Sequence, residues 1–157
     1  MKHSGEIARA IAAFFEKSGW DYEYEEKWGA FFVKRRVPNA AGCVYLTVGV
    51  YEDKYIVFAR ILDFCEKANR NELALLFSAI NRKIAFGRFE FDFGDGDMQY
   101  RYAVNCAGMT PANEIVKHSV VLPFLLMATY GDAICAVMNG KCTAKEALAQ
   151  SCLQTRK

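Results

Sequence analysis

Residues 88–93 alternate Arg88, Phe89, Glu90, Phe91, Asp92 and Phe93. A period of two predicts a strand with one apolar and one polar face. Met98 to Val104 predicts a returning strand, and Gly94-Asp95-Gly96-Asp97 lies between them as a turn. Asp95-Gly96 suits a two-residue type I′ hairpin, because both central positions of that turn need positive φ. On this register Phe89, Phe91 and Phe93 point into a core while Arg88, Glu90 and Asp92 face out.

Upstream, Ile7, Ala10, Ile11, Phe14 and Phe15 form one helical stripe, so a first helix is expected over residues 5–18. Ser4 suits its cap and Gly19 lies just past its end. Trp20 follows as a core anchor. Strands are then expected over 22–26, 30–37, 43–51 and 55–62. Pro38-Asn39-Ala40-Ala41-Gly42 and Glu52-Asp53-Lys54 supply the turns after the second and third of these. The last strand is apolar on both faces, with Ile56, Phe58 and Arg60 on one side and Val57, Ala59 and Ile61 on the other. A sheet covered on one side needs only one such face. Leu73, Leu76, Phe77, Ile80 and Ile84 mark a second helix over 72–84, with Asn71 as its cap.

Thr110-Pro111 predicts the start of a third helix, with Thr as cap and Pro in the first turn. That helix reaches Met138, carries a kink at Pro123 and stops at Asn139-Gly140. Between Pro111 and Met138 the only formal charges are Glu114, Lys117 and Asp132. Past Val120 it is apolar nearly all round, which predicts burial on every side. Thr143 and Glu146 have capping-box spacing for a last helix, 144 to about 153. Together these elements predict an α+β fold, an antiparallel sheet with helices packed mainly on one face, in the order α-β-β-β(-β)-α-β-β-α-α. No linker divides the chain, so residues 1–157 are expected to form one domain.

Composition narrows the function more by exclusion than by pointing. A hydrophobic content of 53% rules out a disordered chain. A formal net charge of +2 gives no electrostatic case for nucleic acid. Residues 1–15 hold Glu6 and Arg9 inside the apolar pattern, unlike a signal peptide. The uncharged run from Ser119 to Gly131 is too short to span a bilayer. A cytoplasmic protein without membrane insertion is the expectation.

Candidate chemistry is sparse. The six cysteines, at 43, 65, 106, 135, 142 and 152, contain no CxxC pair, and the only histidines are His3 and His118. Zinc sites declare themselves by close paired ligands, so no metal is expected. Cys43, Cys106 and Cys135 sit in apolar patterns as small hydrophobes, and Cys152 is the one open to adventitious oxidation. Asp92-Phe93-Gly94 spells a kinase tripeptide without the glycine-rich loop, strand lysine or catalytic loop that give it meaning. Asp92, Asp95 and Asp97 do not match an EF-hand, so they read as a solvated turn. His118 reads as a half-exposed helical residue and His3 as part of a frayed terminus, so neither makes a Cys–His dyad. Neither a phosphate loop nor a GxSxG elbow is present. Lys34-Arg35-Arg36 and the acidic run from Glu23 to Glu26 read as charged strand edges. No catalytic residue and no cofactor is expected, and the chain reads as a non-enzyme.

Glu72-Leu73, Ile80-Asn81, Gly87-Arg88-Phe89, the turn from Phe91-Asp92 to Asp95-Gly96, and the long helix ending at Asn139-Gly140 together resemble the YbjN family of bacterial proteins. The resemblance covers roughly residues 4 to 140. It implies a fold like that of type III secretion chaperones, whose members dimerise and hold a partner chain, or a regulator acting by binding. It brings no catalytic residue.

A protein-binding or chaperone-like regulatory module, with a protein partner and a homodimeric state, is therefore the first expectation. Its binding face would carry Tyr45, Thr47, Ile56, Phe58, Arg60, Arg88, Glu90 and Arg101, a mix of aromatic groups and Arg that suits protein contacts. The dimer would bury the surplus apolar surface of the third helix or the Ile56–Phe58 face. The alternative is a small-molecule sensor with an apolar pocket between the third helix and the sheet.

Overall fold

The structure, a computed structural model, describes residues 2–154, with side chains through Ser151. Its elements are α1 (Gly5–Lys17), β1 (Glu23–Glu25), β2 (Ala30–Arg36), β3 (Cys43–Val50), β4 (Lys54–Arg60), α2 (Arg70–Asn81), β5 (Arg88–Phe91), β6 (Met98–Asn105), α3 (Asn113–Met138) and α4 (Ala144–Gln154). This is the order that the hydrophobic pattern predicts. The strands form one sheet in the order β1-β2-β3-β4-β6-β5, antiparallel throughout.

Register divides the sheet into two unlike faces. Phe31, Val48, Val57 and Tyr102 make one row, and Val33, Leu46, Ala59, Tyr100 and Phe89 make the next. These rows are the floor of the core. The Phe15 ring of α1 lies 5.8 Å from Phe31, and the Phe77 ring of α2 stacks 5.3 Å from Phe89. α3 lays Val116, Ser119, Val120 and Met127 into the core above the central strands. Ser119, the one fully buried polar side chain among the described residues, meets the buried Tyr55 hydroxyl at 2.8 Å and donates to the Val116 carbonyl. A buried hydroxyl without such a partner would cost about 1–3 kcal/mol. Burial holds the Tyr55 and Tyr100 hydroxyls well above the ordinary phenol range.

Local rules account for most helix ends. Ser4 Oγ accepts from Ile7 N, and Gly19 follows α1. The Thr143–Glu146 capping box closes in both directions, at 2.8 and 3.3 Å. Two expected caps are not used. α2 begins at Arg70, so Asn71 is inside it, and Asn69 at the cap position donates instead to the Met138 carbonyl, 2.9 Å away. α3 begins at Asn113 behind Ala112, while Thr110 turns its hydroxyl toward Glu6 of α1. In both cases a tertiary contact takes the side chain that a local cap would have used.

α3 is buried less evenly than its composition predicts. Leu125 is 58% exposed. Ala133, Ile134, Cys135, Val137 and Met138 are buried, where α2 and α4 flank the helix. Over its full length α3 is long and apolar enough to cross a membrane, because the sparse flanking charges extend the apolar run beyond 119–131. Here its buried stripe faces the sheet. Trp20 is half-buried against Phe14, Phe15 and Phe124, and the Arg35 guanidinium sits 4.2 Å over its ring.

The hairpin departs from its expected form. Asp92 N donates to Asp97 O at 2.9 Å, so the loop holds four residues, and Gly96 alone in it has positive φ, at 82°. Packing enforces the wider turn. A Cβ on Gly96 would collide with the Cys65 carbonyl, and the Arg70 guanidinium donates to the carbonyls of Cys65, Phe93 and Gly94. The strand therefore ends at Phe91, and Phe93 swings out to 57% exposure, against the expected core position. Phe91 is half-buried between the Phe77 and Phe93 rings.

A graded cost follows along this strand. Phe89→Ala should lower stability by about 3–5 kcal/mol, Phe91→Ala by about half as much, and Phe93→Ala by under about 0.5 kcal/mol. Urea titration of the three variants checks the order.

Candidate protein-binding face

The other face of the sheet is built by the alternate residues of the same strands. Three rows cross it. Glu25, Ala30, Gly49, Ile56 and Ala103 form the first, and Glu23, Phe32, Thr47, Phe58, Arg101 and Arg88 the second. Lys34, Tyr45, Arg60, Gln99 and Glu90 form the third. Among the described residues, no helix packs on this side. The eight residues expected to form a binding face all lie here. They are not equally accessible: Ile56 is only 6% exposed, Tyr45, Thr47, Phe58, Glu90 and Arg101 are half-buried, and Arg60 and Arg88 are exposed.

A polar belt runs sideways across three strands. Arg60 pairs with Asp97 at 3.3 Å and donates twice to Gln99 Oε1, at 3.1 and 2.7 Å. Gln99 Nε2 donates to Glu90 at 2.8 Å, and Glu90 pairs with Arg88 at 2.9 Å. Arg101 stands outside the belt. It lies directly opposite Arg88 and beside Phe58, and among the described residues its side chain has neither an ion-pair nor a hydrogen-bond partner. Like charges directly opposite one another on paired strands are destabilising.

Toward β1 the face forms an open hollow of about 540 Å³, lined by Asp21, Glu23, Phe32, Lys34, Tyr45 and Thr47 among others. Phe32 is 42% exposed there, and the Lys34 ammonium sits 5.3 Å from the centre of the Tyr45 ring. Glu23, Phe32, Lys34 and Gln99 share the face without having been singled out from sequence. The turn at Pro38–Gly42 carried the missing signal. It sets Arg36 opposite Cys43, and counting back by twos brings Lys34 onto Tyr45 and Phe32 onto Thr47.

Two devices hold the β5 side of the face in place. Asn81, the last residue of α2, donates to Phe89 O at 2.9 Å and accepts from Phe89 N at 2.8 Å. Its amide thus mimics a neighbouring strand on the outer edge of β5. Gly87 (φ 65°) precedes the strand, and a Cβ there would collide with the Tyr100 hydroxyl, which donates to Phe86 O.

The remaining candidates do not assemble into a reactive site. His118 Nδ1 lies 3.2 Å from the Tyr102 hydroxyl, and the His118 ring packs on Phe86. His3 Nε2 lies 3.3 Å from the Tyr24 hydroxyl, and its ring covers Gly29, so the segment is docked rather than frayed. Asp92 and Asp95 accept from the backbone of Gly94 and Asp97 within their own turn. Among the described residues no group of three or more His, Cys, Asp or Glu could hold a metal ion. Cys65, Cys106 and Cys135 are buried, and burial pushes their thiols up. Cys43 and Cys142 are half-exposed, and the Cys152 side chain lies outside the described residues. The space between α3 and the sheet, where an apolar pocket was the alternative, is filled by Tyr55, Val57, Val116, Ser119, Val120 and Met127 at 0% exposure.

Comparison with known proteins identifies the architecture. The family model described as "YbjN: Putative bacterial sensory transduction regulator" matches residues 8–116. No curated protein matches in sequence. A chain from the crystal structure of the ExsC–ExsE complex is similar with a TM-score of 0.56 and 16% identity, over 84% of this chain and 95% of that one. The crystal structure of YbjN from E. coli is similar with a TM-score of 0.55 and 12% identity, over 79% and 90%. At these identities the likeness concerns the fold: the α+β class expected from the element order, and the type III secretion chaperone-like form that the family resemblance implies.

Removing the Asn81 amide strands both backbone groups of Phe89. Asn81→Ala should cost about 1–3 kcal/mol and speed hydrogen exchange at the Phe89 amide more than at amides of β3. Native thiol titration should find Cys43 and Cys142 reacting well before Cys65, Cys106 and Cys135, with all six thiols counted after denaturation. The raised buried thiols also set a pH dependence. Unfolded thiols ionise near about pH 8.5 while the folded ones stay neutral, so stability should begin to fall as pH rises through that value.

Proposed function

The chain belongs to the YbjN family, and from that premise we propose that it is a non-enzymatic, protein-binding regulatory module of the bacterial cytoplasm, a single domain over residues 1–157. Its uncovered sheet face is the contact surface, and the working form is a homodimer. The observation that carries this reading is an antiparallel sheet with helices on one side only, whose other side combines Phe32, Tyr45 and Phe58 with Arg60, Arg88 and Arg101. Aromatic groups and Arg are the residues enriched at protein interfaces and among their energetic anchors. A chain of similar fold crystallised as part of the ExsC–ExsE complex, which makes a protein ligand a natural class of partner. Fold likeness alone does not fix function, so the weight rests on the face.

The non-enzymatic reading draws on the state of the titratable groups. Each histidine sits against a tyrosine, and the buried thiols are neutral hydrophobes. The apolar stripe of α3 is used in the core, in keeping with a protein that does not insert into a membrane.

A photo-cross-linking amino acid at Phe58 tests the surface in the native host. Irradiation should give discrete protein adducts from position 58 and not from Leu125, an exposed control on α3. Equal adduct patterns at both positions, or none at 58, would remove the sheet face as the contact surface.

A further inference from the structure

The row Glu23, Phe32, Thr47, Phe58, Arg101, Arg88 crosses all six strands. It carries a carboxylate at one end, two guanidinium groups at the other, and uncharged side chains between. The midline of the sheet falls between β3 and β4, with three strands on each side. A two-fold axis parallel to the strands over that midline turns the row end for end onto itself. Thr47 of one copy then meets Phe58 of the other, Phe32 meets the guanidinium of Arg101, and Glu23 meets Arg88. The neighbouring row behaves in the same way, with Lys34 over Gln99 and the Tyr45 ring over Arg60. A two-fold axis across the strands would instead set Glu23 on Glu23 and Arg88 on Arg88.

We propose that the open face packs on the same face of a second copy of this chain about a two-fold axis parallel to the strands. The inference rests on the reading that this face is the contact surface, and it adds the occupant and its orientation. Three observations argue for it. The row is complementary to its own reverse in charge. Arg101 is half-buried, opposed by Arg88 and without an acceptor among the described residues of its own chain, and the second copy's Glu23 end brings a carboxylate to that end of the row. The size is of the same order: the strands hold between three and eight residues each, and at about 4.8 Å between strands and about 3.3 Å per residue the face presents roughly 600 Å², about three-quarters of the roughly 800 Å² per partner of a standard interface. Aligned sheets pack with a crossing of about 30°. The central pairs therefore set the axis, while Glu23 reaches both Arg88 and Arg101 at the rim.

Sedimentation across a concentration series tests the geometry, using the wild type, Arg101→Glu, Glu23→Arg and an equimolar mixture of the two variants. The wild type should move from 17.7 kDa toward twice that mass. Each variant alone sets like charges against each other at two symmetric places, so each should weaken association by about tenfold. The mixture should recover to within about threefold of wild type. In a mixed dimer the carboxylate introduced at position 101 of one copy lies beside the guanidinium introduced at position 23 of the other, and at the opposite rim the native Glu23 keeps its place within reach of Arg88 and Arg101. Arg101→Glu leaves no intrachain partner behind, so its urea midpoint at monomeric concentration should not fall. A wild type that stays at 17.7 kDa, or a dimer indifferent to both substitutions, would overturn the proposal. If position 58 still cross-links to another protein while the mass stays monomeric, the contact-surface reading survives and only the second copy is excluded.

Discussion

Everything in this fold follows from one shortage: a six-stranded antiparallel sheet has two faces, and the helices cover one of them. The strands anticipate this. In β3, Val44, Leu46, Val48 and Val50 are at most 1% exposed, while Cys43, Tyr45, Thr47 and Gly49 are half-buried. α1, α2 and α3 then converge on the same side, and α4 packs on α2 and α3 rather than on the sheet. The surplus apolar surface at the end of α3 is thus absorbed within the chain. The sheet face is not. It interleaves aromatic side chains with paired charges, a surface of moderate polarity rather than an apolar patch.

The covered side depends on polar side chains that reach across to the main chain of other elements. Asn39 donates to the Met127 and Ala128 carbonyls of α3, and Asp132 accepts from Ala40 N, so the β2–β3 turn is clasped to the middle of the helix. Asn69 reaches the end of α3, Asn81 reaches the edge of β5, and Arg70 gathers three carbonyls of two loops. Each clasp satisfies groups that secondary structure leaves open, and each fixes the approach of one element to another. Their combined effect is positional. The helices set the outer strands, and the outer strands set the spacing of Glu23 and Arg88 at opposite rims of the open face.

This division explains what could be read from sequence. Element order was legible because strand alternation and helical stripes are local, and so were the Ser4 cap and the Thr143–Glu146 box. The type I′ turn and the Asn71 and Thr110 caps were misread for a shared reason. For the turn and for Thr110 a distant residue (the Cys65 carbonyl, Glu6 of α1) competes for the group that a local rule assigns; Asn71 lies inside α2, and Asn69 at the cap position is taken by the end of α3. The eight face residues were legible as a set because the strands are antiparallel and their turns short. Phe32 and Glu23 required the register across the β2–β3 turn. The clasps by Asn81 and Arg70 had no local signal, since an Asn ending a helix and an Arg beginning one have ordinary local roles there.

The polar belt bears on how such a face can be reversible. Asp97, Arg60, Gln99, Glu90 and Arg88 satisfy one another within the chain. Their hydrogen bonds therefore do not wait for an occupant, and covering them demands little rearrangement. Arg101 differs, because it stands in register between Phe58 and Arg88 and its guanidinium has no acceptor among the described residues. A charge-assisted hydrogen bond is stronger than a neutral one, and it strengthens further as the aromatic neighbours exclude water. In the proposed packing the belt is covered with its hydrogen bonds already made, and Arg101 is the group that favours a carboxylate opposite it. A face in which every charge was already paired would have no reason to prefer one orientation, and one with many unpaired charges would be costly to dehydrate. An unsatisfied guanidinium in register with Phe58, at one end of a row whose other end is acidic, lies between those limits.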